Sequence, residues 1–149
     1  MGRKLIESKN FCVGGEVLTC NLYEIKFNQG YIEEELSYLI KVINLSNKKI
    51  AECAFGINPQ KECLLDYIEI NNSNYANKAI GTKLIKMVEE IAKKNNCKEI
   101  IGIYAPYGSL AENSAKFYKK NKFDIVNVKG KYVQSQEIYK KINYEKCDK

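Results

Sequence analysis

Histidine and tryptophan are both absent from this chain of 149 residues. The lack of histidine excludes an imidazole base and any zinc site built on imidazole ligands. The six cysteines form no C-x-x-C pair, so a zinc site would need four thiolates from scattered segments. We therefore expect no bound metal. We also expect reduced thiols, with Cys53 and Cys63 filling the core.

Arginine is nearly absent as well, although the formal net charge is +6. Arg3 is the sole arginine, and every other basic residue is lysine. Arginine reads bases and phosphates through paired hydrogen bonds, which lysine cannot form. A small nucleic-acid-binding domain with lysine-rich helices is therefore only a rival interpretation, and we expect no nucleic-acid partner. A moderately basic surface suits an anionic cofactor equally well.

Long apolar runs are the third absence. No stretch has transmembrane length, and the first ten residues lack the apolar core of a signal peptide. These features favour a cytoplasmic protein with no membrane partner. The length suits one domain over residues 1–149.

The first half of the chain has the composition of β-strands. Strand-forming residues cluster in four segments separated by turn residues such as Asn28-Gln29-Gly30 and Asn58-Pro59, and the short connections favour an antiparallel meander. Residues 28–35 form either a short helical turn or a hairpin. The predicted strands cover 17–27, 36–44, 49–57 and 64–70.

The second half changes to a helical period. Apolar residues recur on one helical face from Ile80 to Ile91, and Asn95-Asn96 ends that helix. An apolar strand at 99–104 follows, and the crossover makes it parallel to the strand at 64–70. A second helix at 110–121 and strands at 123–128 and 132–139 complete the prediction. The fold class is α+β: a mixed, mostly antiparallel sheet of about six to seven strands, with two main helices after the fourth strand.

The junction between the fourth strand and the long helix, residues 71–82, is the first candidate site. Unpaired backbone N–H groups at a helix start attract anions, and small residues such as Ala79 and Gly81 let an anion approach the backbone. The alternative is an ordinary helix start at which Gly81 only permits close packing.

Two further positions could carry chemistry. Glu69 lies in an apolar strand, and strand alternation places Tyr67 and Leu65 on its face. Partial desolvation there would suit a general base, whereas the alternative is a glutamate that reaches water. The other position is the Phe117-Tyr118 pair at the end of the second helix, which is either part of a site or part of the core.

Residues 64–128 together resemble the GNAT superfamily of acetyltransferases. Its pyrophosphate loop has the pattern Arg/Gln-x-x-Gly-x-Gly/Ala, which residues 76–81 resemble with Gly81 retained, Ala76 in place of Arg/Gln and Ala79 in place of the first glycine. The later segment is similar to the family's Phe-Tyr-x-Lys-x-Gly-Phe pattern, with Lys122 where glycine is usual. Asn113 lies two residues nearer the tyrosine than the family's common asparagine.

The resemblance implies a GNAT-like fold that takes acetyl-CoA as acyl donor and an amine as acceptor. In that frame Glu69 is the general base, and Tyr118 protonates the departing thiolate. A backbone N–H near Ile70 or Asn71 polarises the thioester. The remaining cofactor-binding positions are Asn77, Lys78, Ala79, Ile80, Gly81, Thr82 and Asn113, together with Tyr118.

The acceptor is open at this stage: a small molecule and a protein terminus both fit. The family usually places helices between its first two strands, where only residues 28–35 are available here. The acceptor groove is therefore either open or closed by a second subunit in a homodimer. A GNAT-like protein that binds acyl-CoA without transferring the acyl group is the closest alternative function.

Overall fold

The computed structural model describes residues 2–26, 36–70, 79–104, 116–129 and 134–142. Eight strands and two helices lie within these ranges. A second helix, α2, is described over residues 116–120. The other elements are β1 (Gly2–Val13), β2 (Glu16–Lys26), β3 (Leu36–Asn44), β4 (Lys49–Ile57), β5 (Cys63–Ile70), α1 (Ile80–Lys94), β6 (Glu99–Tyr104), β7 (Asp124–Lys129) and β8 (Gln134–Lys141).

All eight strands belong to one sheet with the order β1-β2-β3-β4-β5-β6-β8-β7. Strands β2 to β5 form the expected antiparallel meander, β1 extends it, and among the described strands only β5 and β6 pair in parallel. The crossover through α1 explains that exception, because parallel neighbours need a long connection. The α+β prediction is confirmed, with two helices after the meander.

Strand β1 is the element that sequence analysis did not predict, and it brings the strand count to eight. It is an edge strand paired only with β2, and most of its residues are exposed. An edge strand that is exposed on both faces does not need alternating apolar residues. Charged residues on such a strand discourage pairing with other chains. Its polar sequence therefore shows no pattern that predicts a strand. The interpretation of residues 28–35 lies outside the described residues, and so does the first part of the helix predicted at 110–121.

Helix α1 covers one face of the sheet and completes the core. Its buried residues include the predicted Ile80, Leu84, Val88 and Ile91. They pack with strand residues such as Phe55, which is 1% exposed. Cys53 and Cys63 are fully buried, as expected. Burial raises the pKa of the Cys63 thiol to about 12, so it stays protonated and inert.

The opposite face of β1–β5, here called the outer face, carries polar side chains. One row crosses the sheet in register on that face: Ser8 pairs with Asn21, Asn21 with Lys41, Lys41 with Glu52, and Glu52 with Glu69. Among the described ranges, no helix is long and apolar enough to cross a membrane. The sheet therefore has one apolar face under α1 and one mixed face that presents charge.

Two of the three β-bulges within β1–β5 determine which residues share the outer face near the fork. The register between β3 and β4 shifts so that Ile50 is an extra residue, and the register between β4 and β5 shifts at Asp66. Beyond each bulge, the side chains point to the face opposite to the one that regular alternation would give them. The first puts Lys49 and Glu52, three residues apart, on one face.

The second bulge puts Leu65 and Tyr67 on opposite faces. Leu65 is buried in the core, whereas Tyr67 is exposed. The prediction that Leu65 shares the face of Tyr67 and Glu69 is therefore wrong.

Candidate functional site

A fork between the two parallel strands defines the candidate site. Strands β5 and β6 pair only at Cys63–Ile100, Leu64–Ile101 and Leu65–Gly102. The bulge at Asp66 follows directly, and the rest of β5 has no partner in β6. Along that diverging segment the backbone groups of β5 and β6 do not pair with each other, and an extended ligand can bond to a strand edge of this kind.

Gly102 allows the two strands to approach where the fork begins. A Cβ atom on it would lie 3.2 Å from the Leu65 carbonyl oxygen and 3.1 Å from Ile138. Sequence analysis did not select this glycine. Its signal was a lone glycine inside an apolar strand, which often marks a close backbone approach.

Helix α1 follows β5 in the chain and begins at Ile80, after residues 71–78, which lie outside the described residues. Ala79 is its N-terminal cap in the left-handed conformation, with φ 61°, and no side chain caps the helix. The first turn contains no acidic residue. The helix start therefore presents backbone N–H groups and a positive dipole end without a nearby carboxylate of its own, which suits an anionic ligand.

Ile80, Gly81 and Thr82 form that first turn. The Ile80 side chain is 1% exposed and belongs to the core, so only its backbone can contact a ligand. Thr82 is half-buried. The adjacent Lys83 places its ammonium 5.2 Å from the centre of the Phe11 ring, on the flank of the helix beside β1.

Gly81 has a packing role that accounts for its small size. A Cβ atom there would lie 2.6 Å and 2.8 Å from ring atoms of Phe117 in α2. The close-packing interpretation of Gly81 is therefore confirmed. An anion-binding role for its backbone stays a prediction, and a bulky substitution would disturb the α1–α2 contact as well as any ligand.

Tyr118 is packed into the core beside this contact. It is 8% exposed and meets the rings of Phe117 and Phe123 edge-on, at centroid distances of 5.1 Å and 5.5 Å. The core interpretation of its ring holds. Burial of the ring does not exclude a role for the hydroxyl, since tyrosine combines an apolar body with a polar tip.

Glu69 lies on the outer face beyond the bulge. Its side chain is 52% exposed, and its Oε1 atom is 3.8 Å from Lys49 Nζ. The expected desolvation is therefore absent, because the bulge turns this part of β5 toward solvent. Ile70, the next residue, turns inward and packs against the core.

Glu52 and Tyr67 complete a polar cluster with Lys49 and Glu69. The Tyr67 hydroxyl donates to Glu52 Oε2, and Lys49 Nζ donates to Glu52 Oε1 at 3.2 Å. Burial tends to raise the pKa of Glu52, but these two hydrogen bonds outweigh it, so the net pKa lies below its ordinary value. Sequence analysis selected neither Glu52 nor Lys49, since their contact depends on the bulge.

Four of the predicted site residues lie outside the described residues: Asn71, Asn77, Lys78 and Asn113. The structure brings the first turn of α1 together with α2 through Gly81 and Phe117. It places Glu69 separately, on the outer face beside the fork. No group of three or more metal-ligating side chains occurs in the described part of the chain.

Comparison with known families identifies this arrangement as an acyltransferase. A model of the acetyltransferase (GNAT) family matches residues 4–123. The chain therefore belongs to the GNAT acetyltransferase family, whose members transfer acyl groups from acyl-CoA. A comparison with curated protein sequences found no match.

Solved structures support the same fold. A GNAT-family acetyltransferase from Staphylococcus aureus Mu50 matches with a TM-score of 0.61 and 17% identity, covering 72% of this chain and 69% of that chain. Nourseothricin acetyltransferase matches with a TM-score of 0.62 and 9% identity over 95% of this chain and 88% of that one. An aminoglycoside 6'-N-acetyltransferase complexed with coenzyme A matches with a TM-score of 0.59 and 14% identity, covering 76% of each chain.

The two positions where the chain lacks the usual glycine share one conformation. Ala79 has φ 61° and Lys122 has φ 70°, both in the left-handed region. Glycine adopts that region without the steric cost that other residues bear. The chain therefore keeps the backbone shape that glycine would favour, even though the glycines are absent.

Proposed function

We propose that the protein transfers an acetyl group from acetyl-CoA to an amine by direct attack. The observation that carries this proposal is the fork between β5 and β6, together with a start of α1 at which no described side chain provides a cap. When bound, acetyl-CoA supplies a thioester carbonyl and a thiolate leaving group. The N–H groups from Asn77 to Thr82 would hold its pyrophosphate, with Lys78 and Asn113 nearby.

The proton transfers would fall to two side chains on different elements. Glu69 accepts the proton of the attacking amine, directly or through water, since an alkyl amine with a pKa near about 10.4 is mostly protonated at neutral pH. The exposure of Glu69 gives an acceptor access to it. Tyr118 donates a hydrogen bond or a proton to the departing sulfur, and a backbone N–H near Ile70 or Asn71 stabilises the oxyanion.

A thiol-release assay with acetyl-CoA and a panel of amines tests this proposal. The panel should hold small alkyl amines, amino acids, polyamines, aminoglycosides and peptides with free N-termini, with products identified by mass spectrometry. We expect acetyl-CoA to bind and at least one amine to release thiol and gain an acetyl group. CoA binding by calorimetry without acetylation of any amine would favour the alternative of an acyl-CoA-binding protein without transfer activity.

Glu69→Gln is the matched variant for the base. It keeps the size of the side chain and removes its charge. Turnover should fall by roughly 10²–10⁴-fold, the usual contribution of a general base, while acetyl-CoA affinity stays roughly intact. Unchanged turnover and an unchanged pH–rate profile would leave water or backbone as the proton acceptor.

A further inference from the structure

The outer-face cluster places one ammonium beside two carboxylates. Glu52 on β4 and Glu69 on β5 are direct cross-strand partners. Like charges in that relation repel each other. Lys49 lies against both, at 3.2 Å from Glu52 and 3.8 Å from Glu69. The cation therefore offsets the repulsion, and its attraction is shared between the two carboxylates.

The two carboxylates differ in how firmly they are held. The Glu52 side chain is 15% exposed and also accepts the hydrogen bond of Tyr67. Glu69 is 52% exposed, and its contact with Lys49 is longer. Lys49 is therefore anchored by Glu52 and reaches toward Glu69, so Glu52 governs how much positive charge Glu69 experiences.

The bulge at Ile50 is what makes this sharing possible. In a regular strand, residues three apart point to opposite faces. The extra residue in β4 turns Lys49 to the face of Glu52, and its cross-strand partner is Ile43. A strand without the bulge would place the ammonium on the core side and leave the two carboxylates without this cation.

We propose that Lys49 and Glu52 are positioning residues for acyl transfer that hold the orientation of Glu69 and set the charges that it faces. The inference rests on the proposed function, in which Glu69 accepts the proton of the amine. Among the described residues, the other charged and titratable groups that face this pair are Lys41 on β3, which is the cross-strand partner of Glu52, and Tyr67 on β5.

A pair of substitutions with opposite effects on the pH–rate profile tests the proposal. Lys49→Met removes the shared cation, which disfavours an ionised carboxylate at position 69, so the acidic limb of kcat/KM should move to higher pH. Glu52→Gln removes the facing anion and releases Lys49 toward Glu69, so the limb should move to lower pH. Each shift should be about half a pH unit, given the weak coupling of half-exposed charges.

Two control variants separate this effect from a general structural one. Lys49→Arg keeps the charge and should restore the limb close to its original position. Lys48→Met removes the same charge one residue earlier, in the exposed turn, and should leave the limb in place. Thermal melts of all variants identify any that lose the fold.

The outcomes distinguish this inference from the function beneath it. If Glu69→Gln abolishes the acidic limb but Lys49→Met and Glu52→Gln leave it in place, the positioning role is wrong and the base assignment stands. A fall in turnover equal at every pH would likewise overturn the positioning role. If Glu69→Gln leaves turnover and the pH–rate profile unchanged, the assignment of Glu69 as the general base is itself wrong.

Discussion

The two faces of the sheet formed by strands β1–β5 carry different kinds of side chain. The face under α1 is apolar and closed, with side chains such as Ile40 and Phe55 at 0% and 1% exposure. The outer face holds Lys49, Glu52 and Glu69 in partial contact with water. The closed face supplies the burial that stabilises the fold, which leaves the outer face free to carry charge close to the fork.

Phe55→Ala should give the largest effect and test the closed face. Phe55 is buried and stacks on Tyr38 at a centroid distance of 5.1 Å. Removing the ring should lower the free energy of unfolding by about 3–5 kcal/mol, measured by urea denaturation. Tyr67→Ala on the outer face is the matched variant and should cost only about 1 kcal/mol. Equal losses for the two variants would contradict the division between the faces.

Gly81→Ala tests the contact that joins α1 to α2. Alanine in a helix normally gains about 1 kcal/mol over glycine. Here the added Cβ atom would meet the Phe117 ring at 2.6 Å. We expect a net loss of about 1–2 kcal/mol in thermal or urea melts.

Adding Phe117→Leu should recover part of that loss by vacating the space that the ring occupies. A Gly81→Ala variant more stable than the parent protein would show that Phe117 moves aside without cost. The packing explanation for Gly81 would then be wrong.

Tyr118→Phe separates the chemical role of the tyrosine from its packing role. The variant keeps the ring between Phe117 and Phe123 and removes only the hydroxyl. Turnover should fall by roughly 10- to 100-fold, at the low end for general acid catalysis because a thiolate is already a fair leaving group. The melting temperature should change little. Steady-state kinetics with full activity would reduce Tyr118 to a core residue.

Ala79→Gly should stabilise the protein, because the backbone already has the conformation that glycine prefers. Relief of left-handed strain at φ 61° is worth about 1–2 kcal/mol, less the entropy that glycine adds to the unfolded chain. We therefore expect a net gain of about 0.5–1 kcal/mol in urea melts. Lys122→Gly, at φ 70°, should behave in the same way. Destabilisation in both variants would show that neither site is strained.

Glu52→Gln should change how stability depends on pH, and this is the smallest of the expected effects. The pKa of Glu52 in the folded protein is lowered. Its charged form therefore stabilises the fold above the unfolded-state value of about 4.3, and that contribution is lost as the pH falls through the lower folded value. Urea midpoints between pH 3 and 7 should fall less steeply for Glu52→Gln than for the parent protein.

Local patterns predicted helix α1 and most of the meander. The recurrence of Ile80, Leu84, Val88 and Ile91 required no knowledge of the sheet, because a helix buries one stripe against any apolar partner. Strand β1 escaped prediction because an exposed edge strand has no alternation to detect. The local pattern selected Glu69 and Tyr118 as candidates, and the resemblance gave each a role, but neither could describe the surroundings of these residues.

The sequence by itself determined the periodicity that builds the elements, their order, and the family to which the chain belongs. Only the tertiary structure decided that Leu65 and Tyr67 face opposite ways, that Gly81 accommodates Phe117, and that Lys49 reaches both Glu52 and Glu69. The reason is that these relations depend on bulges and contacts between distant segments. A bulge arises from how two strands pair, so the sequence of either strand alone does not predict it.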